Sequence, residues 1–204
     1  MFVILPGAGR GPADFAAWRG VQVFRYPLAS NLAAIVEHCA RVIPADAVVV
    51  GESVGGLIAL ALAGRGFRAV AIDPPLTTQK QWAVQYAVRT QTARLLPEDP
   101  FHAHIEGLLG VMRDGSLQER VYYPLLNRIT APVDIITGDV PLWPYRGAGL
   151  NAACCIDDVD RYVLAAHPMV KLHEIDGPHA LMDSRPAACR KVIEAALTPS
   201  PARR

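Results

Sequence analysis

The sequence predicts an α/β fold: a mostly parallel six-stranded sheet flanked by helices on both faces and interrupted by one helical cap insertion. Three observations carry this prediction. Short apolar, β-branched runs recur along the chain, each closed by Gly, Pro, Asp or Ser, as strands buried on both faces do. Stretches with apolar residues at helical spacing lie between them. Residues 76 to 129 hold no run of comparable strand quality, and a connection in a compact domain normally spends only a few residues.

The strands, in order, are Phe2-Leu5, Val21-Tyr26, Val48-Val50, Ala69-Ile72, Val133-Thr137 and Val170-Ile175. The first helix covers Leu28 to Ile43, where Leu32, Ile35, Val36, Cys39 and Ile43 share a face. The second, Val54 to Ala63, follows a glycine-rich turn; the third, Asp157 to Ala166, opens on acids suited to N-capping. Pro186 to Leu197 closes the fold, with proline in the first turn. Strand and helix alternate, so the sheet is parallel and covered on both sides. Residues 1–75 and 130–197 form the core, and 198–204 read as a disordered tail. Within the cap, Trp82-Tyr86, Phe101-Ile105-Leu108-Leu109-Met112 and Val121-Leu125 have helix-like spacing, punctuated by Pro97, Pro100 and Pro124.

Composition narrows the function. The 204 residues are 51% apolar and carry 20 basic against 19 acidic side chains, the profile of one soluble domain without the basic field that gathers nucleic acid. No apolar stretch approaches the roughly 20 residues of a membrane span. The N-terminus turns at Pro6-Gly7 with no basic leader ahead of it, so no secretory signal is expected. Cys39, Cys154, Cys155 and Cys189 are expected as free thiols in a cytoplasmic protein.

Gly51-Glu52-Ser53-Val54-Gly55 places a serine between small residues where a strand turns into a helix. Such a turn projects the hydroxyl above the sheet, and the helix N-terminus behind it favours developing negative charge. A serine hydroxyl needs an imidazole to take its proton. Of the six histidines, His179 fits, in the loop Gly177-Pro178-His179 after the last strand. His38 and His167 fall within helical spacing, His173 within a strand, and His102 and His104 within the cap.

These features resemble the α/β-hydrolase fold, in its lid-bearing serine hydrolase form. The likeness runs from Phe2 to about Leu197. It rests on Leu5-Pro6-Gly7-Ala8-Gly9, the elbow from Gly51 to Gly56, the Pro132-to-Gly138 strand with an acid at its end, and the His179 loop. The first strand begins almost at Met1, so the resemblance implies a shortened N-terminus and a minimal six-stranded core. It also implies that Asp139, after Val133-Thr137, orients His179. Asp73, in Ile72-Asp73-Pro74, is the alternative acid, although Asp before Pro also suits a simple turn. The resemblance assigns the oxyanion-hole N–H groups to Ala8 and Val54.

Cap residues Trp82, Tyr86, Phe101, Met112, Tyr122 and Tyr123 line a substrate pocket or pack the cap itself. No metal or cofactor is expected: on a helix, His102 and His104 point about 200° apart. The sequence therefore predicts a serine hydrolase acting on a small ester, thioester or related acyl substrate through Ser53, His179 and Asp139. A non-catalytic binding protein on the same scaffold and an acyltransferase are the alternatives. Oligomeric state is left open.

Overall fold

The structure, a computed structural model, describes residues 1–78, 80, 88–90, 92–141 and 153–197. Six strands form one sheet in the order β2-β1-β3-β4-β5-β6, every neighbouring pair parallel. They are β1 Phe2–Leu5, β2 Val21–Val23, β3 Val48–Glu52, β4 Arg68–Ile72, β5 Val133–Thr137 and β6 Val170–Glu174. The pairings Leu5 with Gly51, Glu52 with Ile72, Ile72 with Ile136 and Thr137 with Glu174 bring the carboxyl ends of five strands level. That edge is where an open parallel sheet presents its loops to a ligand.

The β-branched runs are strands because both of their faces are buried. Val49, Ala69, Ala71, Val133 and Ile135 pack with α1 (Leu32–Val42) and α2 (Val54–Ala63) on one side. Val48, Val50, Val70, Ile72 and Ile136 meet Cys189, Ile193 and Ala196 of α6 (Pro186–Leu197) on the other. The alternation between the two clusters is the period of two that a pleated strand imposes. Full burial of each such side chain contributes roughly 1.5–3 kcal/mol, so the sheet is where most of the stability resides.

Helix limits follow local chemistry. The Asn31 side chain accepts from Ala33 N (2.8 Å), so α1 starts at Leu32 rather than Leu28. In α4 (Asp158–Ala165), Asp157 and Asp160 form a reciprocal capping box. The edge strand β2 ends at Val23, short of the expected Tyr26. A four-residue helix, α5 (Leu181–Ser184), was not expected: it is too short to show a period, and Leu181 and Met182 bury it against the α6 side of the sheet.

Between β4 and β5 the described residues add no strand to the sheet. They hold α3 (Pro100–Leu109), a 3-10 turn at Tyr123–Arg128, and the isolated bridges Thr77 with Val121 and Val111 with Leu117. The Asp99 side chain caps α3 by accepting from Phe101 N (2.8 Å), and Gly110 ends it at φ 68°. Ile105, Leu108, Leu109 and Val111 belong to the same apolar cluster as Leu5, Ile35 and Leu76. The insertion thus shares the core rather than building its own. Contact is close at Gly107, where a Cβ would stand 1.8 Å from Ser30 O, a position only glycine can fill. Residues 198–204, expected as a disordered tail, lie outside the described residues. Among the described residues no helix is long and apolar enough to cross a membrane. Cys39, Cys154, Cys155 and Cys189 are buried and form no disulfide.

Candidate active site

Ser53 terminates β3 and opens α2 at φ 53°, ψ −117°, backbone space that a residue with a Cβ enters at roughly 1–3 kcal/mol of strain. Its flanking glycines explain why the turn is attainable. A Cβ on Gly51 would lie 2.0 Å from Gly55 O, and one on Gly55 would lie 2.0 Å from Leu5 O. Both distances are far inside van der Waals contact, so the G-x-S-x-G spacing is dictated by backbone meeting backbone. The serine is part-exposed while its neighbours Glu52 and Val54 are buried.

Among the described non-glycine residues, positive φ occurs at one other place: Asp73, at 44°. Asp73 leaves the end of β4, adjacent to β3, and the Ser53 N–H donates to Ile72 O at 2.8 Å. The Asp73 side chain has no exposed surface. Its Oδ1 accepts from Thr137 Oγ1 (3.1 Å) and Ile156 N (3.2 Å), its Oδ2 from Cys155 N (2.6 Å) and His179 Nδ1 (2.5 Å). A carboxylate offers about four acceptor positions, and these donors fill them.

The expectation that Asp139 meets His179 is therefore corrected: the carboxylate on the imidazole is that of Asp73. Asp139 follows Gly138 without a spacer. Its Oδ1 accepts from Gly177 N (2.7 Å) and its own N–H donates to Gly177 O (3.1 Å), so it ties the β5 end to the loop that carries His179.

His179 is held at Nδ1, which also lies 3.5 Å from Cys155 Sγ. Its Nε2 is the nitrogen left for chemistry. Burial opposes a charge on this ring, yet the Cys155 sulfur and the Asp73 carboxylate, both at Nδ1, hold its pKa well above the usual imidazole value. Burial pushes the Cys155 thiol up, so at neutral pH the thiol is uncharged and the lasting negative partner is Asp73. Asp73, Cys155 and His179 bring one potential metal ligand each within 4.8 Å of one another. With the carboxylate saturated by hydrogen-bond donors, the cluster suits orienting an imidazole better than binding an ion.

Opposite the elbow runs the loop after β1. A Cβ on Gly7 would stand 3.3 Å from Ser53 Cβ, so this loop borders the serine. Tyr26 Oη donates to Pro6 O (2.8 Å) and fixes it. No hydrogen bond among the described residues uses the N–H of Ala8 or of Val54, the two groups expected to receive an oxyanion. Below them, Glu52, only 3% exposed, accepts from Arg10 Nη1 (2.7 and 2.8 Å), and Arg10 Nη2 reaches Asp183 (2.8 Å). Burial raises the Glu52 pKa against the pull of Arg10.

The cap residues separate. Phe101 lines a cavity of about 350 Å³ together with Gly7, Ala8, Tyr26 and His104. Met112 lines another, of about 230 Å³, walled by cap residues such as Arg89 and His102 and by none of the elbow or β1-loop residues. Tyr122 Oη donates to Leu108 O (2.8 Å) and Tyr123 Oη to Asp160, so both hydroxyls brace structure. Trp82 and Tyr86 lie outside the described residues. Sequence reasoning missed Cys155 and the Arg10–Glu52 pair; an acidic residue beside an elbow serine was the one available signal for the latter.

No known family profile matches the chain, and no curated protein matches it. Solved structures do. An E-2-(acetamidomethylene)succinate hydrolase superposes with TM-score 0.66 at 16% identity, covering 97% of this chain and 91% of that one. MenH from S. aureus gives TM-score 0.64 at 14% identity, with coverages of 96% and 92%. The enol-lactonase from Burkholderia xenovorans LB400 gives 0.61 at 14%, with 96% and 90%.

Proposed function

We propose that this chain, which has the α/β-hydrolase fold, is a serine hydrolase acting on a small ester, thioester or related acyl substrate, with Ser53, His179 and Asp73 as its triad. The observation that carries the reading is the 2.5 Å contact between Nδ1 of His179, in the loop after β6, and the buried carboxylate of Asp73, at the end of β4 beside the strained serine elbow. A proton held at Nδ1 leaves Nε2 as the base that takes the Ser53 proton. Ser53 Oγ attacks the acyl carbonyl, the Ala8 and Val54 N–H groups receive the oxyanion, and His179 returns the proton to the leaving group. Water, activated in turn by Nε2, then releases the acyl group. Each oxyanion donor lowers the barrier by on the order of 3 kcal/mol. Residues 76–129 act as the cap over this edge.

A fluorophosphonate tests the nucleophile without knowledge of the substrate. Intact mass should show one adduct per chain, abolished by Ser53→Ala. Failure to label the folded wild-type protein sinks the reading.

A further inference from the structure

The loop after β1 carries its oxyanion donor on a tight turn. Arg10 N donates to Gly7 O (3.2 Å), and Gly9 takes φ 76°, the positive value that the third position of a type II turn requires. Ala8 is the second residue of that turn, so its N–H is aimed by whatever holds the turn. One backbone hydrogen bond is a weak closure.

Side chains add a second closure. The chain enters the turn against the elbow: a Cβ on Gly7 would stand 3.4 Å from Glu52 O and 3.7 Å from Glu52 Oε2. It leaves the turn at Arg10, whose Nη1 donates to both Glu52 carboxylate oxygens (2.8 and 2.7 Å). Glu52 thus borders the first residue of the turn, bonds the last, and immediately precedes Ser53. The guanidinium is fixed on its other sides too. Its Nη2 donates to Asp183 (2.8 Å), and its face lies 4.5 Å from the Phe15 ring centroid. An ion pair this buried, with Glu52 only 3% exposed, is a poor device for stability alone, because apolar residues of the same volume hold a fold as well or better. What the pair supplies is direction, since a planar guanidinium meets a carboxylate in few geometries.

We propose that Arg10 is a positioning residue for acyl transfer: by gripping Glu52 it locks turn 7–10 onto the elbow and holds the Ala8 N–H where the oxyanion forms on Ser53. The inference rests on Ser53 being the nucleophile. A group displaced by about 1 Å loses about 10²-fold in rate, so the grip acts on the reaction even though Arg10 itself touches no substrate.

The test uses a fluorophosphonate, whose phosphorus bonds to Ser53 Oγ as fluoride leaves and whose phosphoryl oxygen then occupies the oxyanion position. Arg10→Met/Glu52→Gln removes both charges together, so no carboxylate is left buried without a partner. Its urea midpoint should recover in part from that of Arg10→Met, yet its labelling rate should stay about 10²-fold below wild type. Backbone amide spectra give the readout that a merely structural role would not move. On labelling, the Ala8 and Val54 amide protons of the wild-type protein should both move downfield; in the double variant Val54 should still move and Ala8 should not. Glu52→Gln alone keeps the size of the side chain and supplies a second variant. Either orientation of its amide sets an N–H against Arg10 Nη1, and labelling should slow by about tenfold. A rate within about threefold of wild type in either folded variant, or an Ala8 signal that still moves in the double variant, overturns the inference and leaves the hydrolase reading standing. A wild-type protein that does not label rejects the hydrolase reading and this inference with it.

Discussion

Replacing Asp73 by Asn is the most revealing single change, because it alters protonation without altering size. The amide keeps one acceptor oxygen. If that oxygen stays with Thr137 and Ile156, the amide nitrogen takes the Oδ2 position, where Cys155 N (2.6 Å) and His179 Nδ1 (2.5 Å) now donate. Donor then faces donor at Cys155, leaving a buried N–H unpaired at about 1–3 kcal/mol of stability. His179 adapts by becoming an acceptor at Nδ1, which moves its proton to Nε2. In that tautomer it cannot take the Ser53 proton. Loss of this kind lowers turnover by about 10⁴-fold, about 5.4 kcal/mol on the barrier at 1.36 kcal/mol per decade. Hydrolysis of p-nitrophenyl acetate and urea unfolding read the two effects separately. A folded Asp73→Asn protein that retains more than a tenth of wild-type turnover would refute the assignment of Asp73 and the hydrogen-bond argument behind it.

Asp139→Asn should keep turnover within about twofold and stability within about 0.5 kcal/mol, since its oxygen can still accept from Gly177 N; a large loss in kcat would return the acid to position 139. The pH profile of kcat/KM should have its lower limb above the ordinary imidazole value of 6.5, because His179 must be neutral to act and its pKa is raised. Activity therefore climbs as pH rises through the raised His179 pKa, and a limb at or below 6.5 would contradict that direction of shift. Gly55→Ala pushes a methyl to 2.0 Å from Leu5 O and should destabilise the fold by about 3 kcal/mol or more, seen as a lowered urea midpoint. Arg10→Met strands the buried Glu52 carboxylate and should cost about 3–5 kcal/mol, with Glu52→Gln in the same chain recovering part of it.

How much of this was legible in the sequence depended on the range of the forces involved. The six strands were, because a parallel sheet covered on both faces draws short, mostly apolar runs, of which Phe2 to Leu5 is apolar throughout and Val133 to Thr137 is broken within by Asp134 alone. The elbow was too, since Gly51 and Gly55 answer steric demands from backbone a few residues away or on the adjoining strand. The acid was not. Asp73 and Asp139 each follow a buried strand and each look like turn residues; the choice between them is made by the amides of Cys155 and Ile156, more than eighty positions from Asp73 in sequence. His104 was passed over for the same reason. Its Nδ1 partner, Ala29 O, lies 75 positions away in sequence and leaves no trace in spacing.

The placement of the acid on β4 has a bearing on how such an enzyme can be remodelled. Ser53 and Asp73 are anchored by the same rungs, Glu52 beside Ile72 in the sheet and Ser53 N–H on Ile72 O, so their separation is fixed by strand pairing and is indifferent to loop length. The stretch that leaves β5 after Asp139 is relieved of carrying a charge to the imidazole. What the chain must do by the time it reaches α4 is bring two consecutive amides, those of Cys155 and Ile156, to Asp73. In this chain the alignment of serine and acid is one that the sheet itself keeps.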